Sequence, residues 1–288
     1  MAKTTRESVP KTYANIVSEI KDISRPNTGY KMLIYGRSGT GKTTTACTFP
    51  KPLLLLGAED GTKSVYDVPG VKFVRVKTPK ELGELMFYIR KETPFKTVVL
   101  DSATSHQEQI LRHLMVEAGL LEEDEDMPAQ LGYGEIERET WNEYAMIMKT
   151  QLREFLELSE TGTNAIILAQ EKAFDTEQAS DLILPSVMAA VSPSVAFWLN
   201  PECDYIGQAL LREGTVSRKI KVKKNGKIVE KIKTEKANQY CLRIGPHPIY
   251  MTKFRKPKGG TLPELIVDPS YTKLENIMIG GVNAGSVT

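Results

Sequence analysis

The feature that most constrains this chain is a glycine-rich stretch that directly follows a short apolar run. Residues 32–35 read Met-Leu-Ile-Tyr, which has the length and bounds of a buried strand. The next eight residues, GRSGTGKT, match the phosphate-loop pattern G-x-x-x-x-G-K-[ST]. Glycine permits such a loop because no Cβ blocks the tight turn in which backbone N–H groups surround phosphate oxygens. A helix-compatible segment follows, and this context argues against the alternative, a chance match in an ordinary Gly/Ser turn.

The phosphate loop predicts a nucleotide site. Its binding residues would be Gly36, Arg37, Ser38, Gly39, Thr40, Gly41, Lys42, Thr43 and Thr44. Lys42 would reach the β- and γ-phosphates, and the hydroxyl of Thr43 would hold Mg²⁺. The sequence contains no guanine-reading N-K-x-D motif. We therefore expect ATP and Mg²⁺ as cofactors.

Composition excludes several classes of protein. The chain has 288 residues, of which 41% are hydrophobic and 26% charged, as in a soluble globular protein. No apolar run approaches the roughly 20 residues of a membrane span, and the N-terminus lacks the apolar core of a secretory signal. Three cysteines are an odd number without paired spacing, so we expect a reducing cytoplasmic location and no disulfide framework.

Strand and helix patterns alternate up to about residue 172. They predict an α/β fold with a mostly parallel, doubly wound sheet flanked by helices. A long loop is expected over 171–200, and an antiparallel β-rich extension over 204–270, with a hairpin turn at Asn225-Gly226. The whole of 30–275 is interpreted as one ATPase domain with its core at 30–172. Residues 1–29 would form an arm, which packs on a neighbouring subunit or covers a sheet edge, and 276–288 a flexible tail.

Three polar residues follow predicted strands and would meet at one edge of the sheet, where ligands bind. Asp101 follows Val-Val-Leu and would position Mg²⁺, unless it only caps the next helix. Glu59 is a candidate base for the attacking water, and the alternative is a solvated turn residue. Gln170 is a candidate sensor of the γ-phosphate or, alternatively, a polar residue that ends a strand.

The order of these motifs resembles the RecA-like recombinase core. The runs GRSGTGKT, LLLLGAEDG, KTVVLDSAT and AIILAQEK carry the resemblance over residues 30–172. The chain is most similar to short RecA-like ATPases of bacteriophages, the phage nucleotide-binding proteins linked to single-strand annealing and recombination. The later segment YMTKFRKPKGGTLPELIVDPSYTKL also resembles the end of those proteins.

The resemblance implies roles for particular residues. Glu59 would be the water-activating glutamate and Gln170 the switch glutamine. Lys253 and Arg255 would be paired trans fingers that reach the γ-phosphate of a neighbouring subunit, and the alternative is an exposed basic strand end. Self-association into a filament or ring is therefore expected, with single-stranded DNA as a partner. A phage-encoded protein would work in the cytoplasm of its bacterial host.

Charge is distributed unevenly along the chain. Residues 212–258 contain 15 Lys and Arg against three Glu. The loops that contact DNA in RecA-like proteins correspond here to Glu122–Asp126 and Glu171–Asp181, which are net acidic and therefore unsuited to phosphates. A basic hairpin is the better candidate for DNA contact. Its candidate residues are Arg218, Lys219, Lys221, Lys223, Lys224 and Lys227.

The hairpin has no aromatic residue of its own on which bases could stack. Stacking would have to come from elsewhere, and the candidates are Phe174, Phe197, Trp198 and Tyr240. The alternative is an exposed hairpin whose lysines only discourage edge pairing.

Three functions fit the sequence. The first is a Mg²⁺-dependent ATPase that acts on single-stranded DNA in phage recombination or replication. The second is a nucleotide-gated scaffold that recruits an annealing or single-strand-binding protein with little turnover. The third is a hexameric motor or loader ATPase.

Overall fold

The computed structural model describes residues 28–58, 63, 65–92, 94–122, 136–174, 185–224, 227–255 and 262–280, with only the backbone given between 216 and 235. Several predictions fall outside these residues. They concern the arm over 1–27, Glu59, the acidic residues 123–126, the loop over 175–184 and the tail over 281–288.

Helices and strands alternate through the first two thirds of the chain. The helices are α1 (Lys42–Ala46), α2 (Pro79–Glu92), α3 (Ala103–Glu117), α4 (Arg138–Glu157), α5 (Pro193–Glu202) and α6 (Tyr271–Met278). The strands are β1 (Lys31–Gly36), β2 (Leu53–Gly57), β3 (Val71–Arg75), β4 (Thr97–Asp101), β5 (Asn164–Ala169), β6 (Glu171–Ala173), β7 (Val187–Ala189), β8 (Tyr205–Lys224), β9 (Lys227–Arg243), β10 (Lys253–Phe254) and β11 (Leu265–Val267). No helix in the described ranges is both long and apolar enough to span a membrane.

Nine of the described strands form one sheet in the order β11-β9-β8-β1-β5-β4-β2-β3, with β10 paired to the start of β8. The strands from β8 to β3 in this order run parallel, whereas β9, β10 and β11 are antiparallel to their neighbours. The predicted fold class, a mostly parallel α/β sheet with an antiparallel extension, is confirmed.

The apolar strands are buried because helices cover both faces of the sheet. Alternate residues of β1 point to opposite faces. Leu33 and Tyr35 join a core with α2, α3, α4 and α5. Met32 and Ile34 join a second core with α1 and α6. The phosphate loop therefore leaves a strand that is anchored on both sides.

The predicted antiparallel extension contains two long strands, β8 with 20 residues and β9 with 17. The first residues of β8 pair with β1, and the rest continues as a two-stranded ribbon with β9. The register pairs Lys224 with Lys227, which leaves Asn225 and Gly226 as the connection of the predicted hairpin. The turn residues themselves lie outside the described part.

Two segments differ from their predictions. The expected loop over 171–200 contains β6, β7 and α5, and β6 and β7 pair with each other. The expected tail does not begin at 276, because α6 continues to Met278. Ile277 and Met278 are both buried, so packing against the second core holds the end of this helix in place.

Candidate functional site

The ends of four parallel strands lie side by side at one edge of the sheet. Register pairs Tyr35 of β1 with Ala169 of β5, Leu168 of β5 with Asp101 of β4, and Asp101 with Gly57 of β2. The residues that follow these strands therefore meet at the edge where α/β sheets bind ligands.

The phosphate loop connects β1 to α1 at this edge. Gly39 and Gly41 adopt φ values of 77° and 81°, a left-handed conformation that favours glycine. A Cβ added to Gly41 would lie 3.0 Å from Cδ1 of Tyr240. Gly41 therefore serves two purposes, because it allows the turn and leaves room for an aromatic ring beside the loop.

Lys42 is buried at the start of α1 with only 8% of its surface exposed. Its Nζ donates hydrogen bonds of 2.8 Å to the carbonyl oxygens of Gly36 and Arg37, and it lies 3.4 Å from Oε1 of Gln170. Burial lowers the pKa of the ammonium, while the charges of Asp101 and Glu171 oppose that shift. A buried cation thus faces the concave side of the loop.

Thr43 and Asp101 form the pair that the sequence assigned to Mg²⁺. Oγ1 of Thr43 donates a hydrogen bond of 2.7 Å to Oδ2 of Asp101. Burial raises the pKa of Asp101, and the Thr43 hydrogen bond and the Lys42 charge partly offset the rise. A hydroxyl and a carboxylate beside a phosphate loop are the hard oxygen donors that Mg²⁺ takes from a protein in nucleotide sites, so the pair fits this ion.

Asp101 does not cap the following helix, which was the alternative for this residue. Ser102 is the N-cap of α3, and its Oγ accepts a hydrogen bond from the N–H of Ser105 at 3.2 Å. The carboxylate of Asp101 is therefore left to Thr43 and the cavity.

Gln170 is fixed through its backbone. Its N–H donates to Oγ1 of Thr104 at 3.0 Å, and its carbonyl accepts from the N–H of Ala190 at 2.8 Å. Thr104 lies in the first turn of α3, which follows β4, and Ala190 follows β7. Gln170 thus connects the phosphate loop to the start of α3 and to the residue that follows β7.

Glu171 was not singled out from the sequence, yet it bridges the loop and the extension. Nε of Arg37 donates to Oε1 of Glu171 at 2.8 Å, and Nε2 of Gln208 donates to Oε2 at 3.0 Å. Gln208 in turn accepts from Arg243 of β9. No local pattern marks these residues in the sequence, because their contacts join the phosphate loop, β6, β8 and β9.

The loop opens into a cavity of about 780 Å³. It is lined by Ser38, Gly39, Thr40, Gly41, Lys42, Thr43, Thr44, Thr45, Leu55, Gly57, Phe73, Asp101, Ser102, Ser105, Gln170, Tyr240, Asp268 and Pro269. The structure thus brings most of the predicted phosphate-binding residues together with Asp101 and Gln170.

Sequence reasoning missed Phe73, Tyr240 and Asp268 as cavity residues. For Asp268 a signal existed, since Leu-Ile-Val-Asp repeats the pattern of an apolar strand ending in an acid that singled out Asp101.

The proposed finger residues lie elsewhere. Lys253 pairs with Ile206 near the start of β8, whereas the phosphate loop follows the part of β1 that pairs with Ala209. Nζ of Lys253 donates to the carbonyls of Asn200 and Pro201 at 3.2 and 2.8 Å. Arg255 forms an ion pair of 2.7 Å with Asp204. Both side chains are held within their own chain, and their role in a neighbouring site stays a prediction.

Two further predictions are placed only in part. Glu59 lies outside the described residues, although the strand before it, β2, is the direct neighbour of β4. The basic residues between Arg218 and Lys227 lie on β8 and β9, but only their backbone is described. Tyr240 lines the nucleotide cavity, so it does not serve as a stacking residue at the tip of the ribbon.

A phosphate loop at the end of a central parallel strand, with an acid at the end of a nearby strand, defines the class of P-loop NTPases. More specifically, a family model described as an AAA domain matches residues 28–255. The chain therefore belongs to this AAA-domain family of P-loop ATPases. No curated protein matches the chain significantly.

Proposed function

We propose that this protein is a Mg²⁺-dependent RecA-like ATPase that acts on single-stranded DNA in phage recombination or replication. One observation carries the catalytic part of the proposal. Lys42, the Thr43–Asp101 pair and Gln170 converge on the cavity at the carboxyl edge of the sheet.

The geometry suggests what each residue does when nucleotide binds. The ammonium of Lys42, which now donates to two loop carbonyls, would turn its hydrogen bonds to the phosphates. Thr43 and Asp101 would hold Mg²⁺, which neutralises charge on the β- and γ-phosphates. Gln170 lies 3.4 Å from Lys42, close enough to sense the γ-phosphate and pass its loss to the segment around Ala190.

The DNA part of the proposal is supported by charge. The ribbon of β8 and β9 carries the basic candidates between Arg218 and Lys227, and Glu171, Gln208 and Arg243 connect its base to the phosphate loop. Binding to a phosphate backbone should weaken strongly with added salt, because binding of the protein releases counterions from the DNA.

The experiment is steady-state ATP turnover with Mg²⁺, with and without single-stranded DNA, at low and moderate salt. Turnover that rises with DNA and loses that rise as salt is added supports the proposal. Turnover that is indifferent to DNA contradicts the DNA part alone. Unchanged nucleotide binding and turnover in Lys42→Ala would contradict the ATPase assignment itself.

A second candidate is a nucleotide-gated scaffold that assembles with ATP and recruits an annealing or single-strand-binding protein. The in-chain contacts of Lys253 and Arg255 favour it, because these residues must leave their present partners before they can complete a neighbouring site. Glu59→Gln separates the two candidates, since it should abolish turnover in an ATPase and change little in a scaffold. Hexameric rings in solution would instead favour a motor or loader.

A further inference from the structure

The cavity extends beyond the phosphate loop to a wall made of Tyr240, Asp268 and Pro269. Tyr240 lies on β9, and Asp268 directly follows β11. These strands pair with each other, and the N–H of Asp268 donates to the carbonyl of Tyr240 at 2.8 Å. The two residues are therefore held side by side, although 27 residues separate them in the sequence.

Tyr240 presents an aromatic ring to the cavity. Its side chain is 47% exposed, while Cys241 and Leu242, its neighbours on β9, are fully buried. The contact with Gly41 places the ring directly against the phosphate loop. An exposed ring beside a polar cavity leaves a face to which a flat, apolar group can bind by stacking.

Asp268 has an unusual backbone for its residue type. Its φ of 47° makes it the one non-glycine residue of the described chain in the left-handed region. Aspartate tolerates this conformation better than most residues, and such outliers concentrate at ligand sites. Asp268 lines the cavity, and within the described residues its carboxylate takes part in no hydrogen bond or ion pair. An ionised carboxylate accepts hydrogen bonds and donates none.

We propose that this wall binds the base of the nucleotide, with Tyr240 stacking on the ring and Asp268 accepting a hydrogen bond from an exocyclic amino group. The ligand class is a purine nucleoside triphosphate that carries such a group, which both adenine and guanine do. The proposal rests on the proposed function, because the phosphates must first occupy the loop.

The first experiment compares equilibrium binding of ATP and of inorganic tripolyphosphate, which lacks base and sugar. Tyr240→Ala should weaken ATP binding about tenfold and leave tripolyphosphate binding unchanged, whereas Tyr240→Phe keeps the ring and should bind ATP like the wild type. Phe87→Ala is the matched control, because Phe87 is an exposed aromatic on α2 and does not line the cavity. It should change ATP binding less than about twofold, well below the stacking effect.

The outcomes separate this inference from the proposed function. A wild-type protein that binds neither ligand contradicts both. Equal affinity for ATP and tripolyphosphate overturns the base wall and leaves the phosphate site in place. An equal loss of both ligands in Tyr240→Ala, or no loss of ATP, also overturns the wall. Unchanged tripolyphosphate binding shows at the same time that the variant folds.

The second experiment tests Asp268 with pairs of nucleotides that differ by one amino group. ATP is compared with purine riboside triphosphate, and GTP with inosine triphosphate. The wild type should prefer the amino-bearing member of one pair about tenfold, and Asp268→Gly, which keeps the left-handed backbone, should lose that preference. The pair that shows it identifies the base. A preference that is absent from both pairs, or that survives in the variant, overturns the role of Asp268.

Discussion

Removing the hydroxyl of Thr43, which donates a hydrogen bond to Asp101, should change both the stability of the protein and its use of Mg²⁺. Thr43→Val keeps the β-branched shape of the side chain but loses the hydrogen bond to Asp101, whereas Thr43→Ser keeps a hydroxyl and is the control. The O···O distance of 2.7 Å is that of a strong bond to a carboxylate. Hydrogen bonds to charged groups contribute about 1.5–3 kcal/mol to stability. The free energy of unfolding of the Val variant should therefore be lower than that of the Ser variant by this amount.

The difference in the free energy of unfolding between the Val and Ser variants should decrease as pH falls. Burial raises the pKa of Asp101 and the Thr43 hydrogen bond opposes the rise, so the bond stabilises the ionised carboxylate. The contribution of this hydrogen bond is therefore fully present above the pKa of Asp101 in the folded protein and is lost as pH falls through that pKa. Because burial sets the net direction, this loss should occur at a higher pH than for an ordinary aspartate.

The assay is urea unfolding of both variants between pH 4 and pH 8, followed by thermal unfolding with ATP and Mg²⁺. At neutral pH the Val variant should melt roughly 2–5 °C below the Ser variant. It should also lose the extra stabilisation that Mg²⁺ adds to ATP, because a ligand that binds the folded state more weakly stabilises it less. Equal unfolding free energies at neutral pH, or a gap that stays constant as pH falls, would refute the reasoning.

Three further perturbations test other parts of the structure. Lys42→Ala should reduce ATP turnover by about 100-fold or more, because it removes the buried cation that faces the phosphates, and kinetic assays with saturating Mg²⁺ would show this. Gln107→Leu should lower the free energy of unfolding by about 2–5 kcal/mol in chemical denaturation, since Oε1 of Gln107 accepts from the hydroxyl of Tyr144 and the N–H of Ser192, and both donors would remain buried. Arg255→Ala should cost less than about 1 kcal/mol of stability, because its ion pair with Asp204 is exposed, yet it should reduce turnover if the residue acts on a neighbouring subunit. Wild-type turnover in that variant would leave Arg255 with a structural role only.

The predictions that the structure confirms depend on local patterns. Met32 to Tyr35 form a strand and the glycine-rich loop follows it, because a buried apolar run and a tight turn are encoded within a few residues. The strand that ends at Asp101 was predicted in the same way, and Asp101 accepts a hydrogen bond from Thr43, while the role of both residues with Mg²⁺ stays a prediction. The structure also places Gln170 directly after β5 and beside Lys42, as its position after a predicted strand indicated, and its role as a sensor stays a prediction.

The predictions that failed depend on long-range contacts. Residues 171–173 and 187–189 are too short to be recognised as strands, and they form because they pair with each other and because Ala190 donates to the carbonyl of Gln170. The sequence predicts a tail from residue 276, whereas α6 continues to Met278, because distant parts of the chain contribute the core that covers Ile277 and Met278.

The sequence by itself determined the phosphate loop, its lysine and the acid that ends β4, because glycine conformations, a required spacing and a strand-end position are all local properties. Only the tertiary structure decided what surrounds them. Pairing of β9 with β11 places Tyr240 and Asp268 side by side, and packing against Gly41 places the ring of Tyr240 beside the phosphate loop. Strand register and sheet order depend on the whole fold, so residues far apart in sequence become one site only when the sheet is complete.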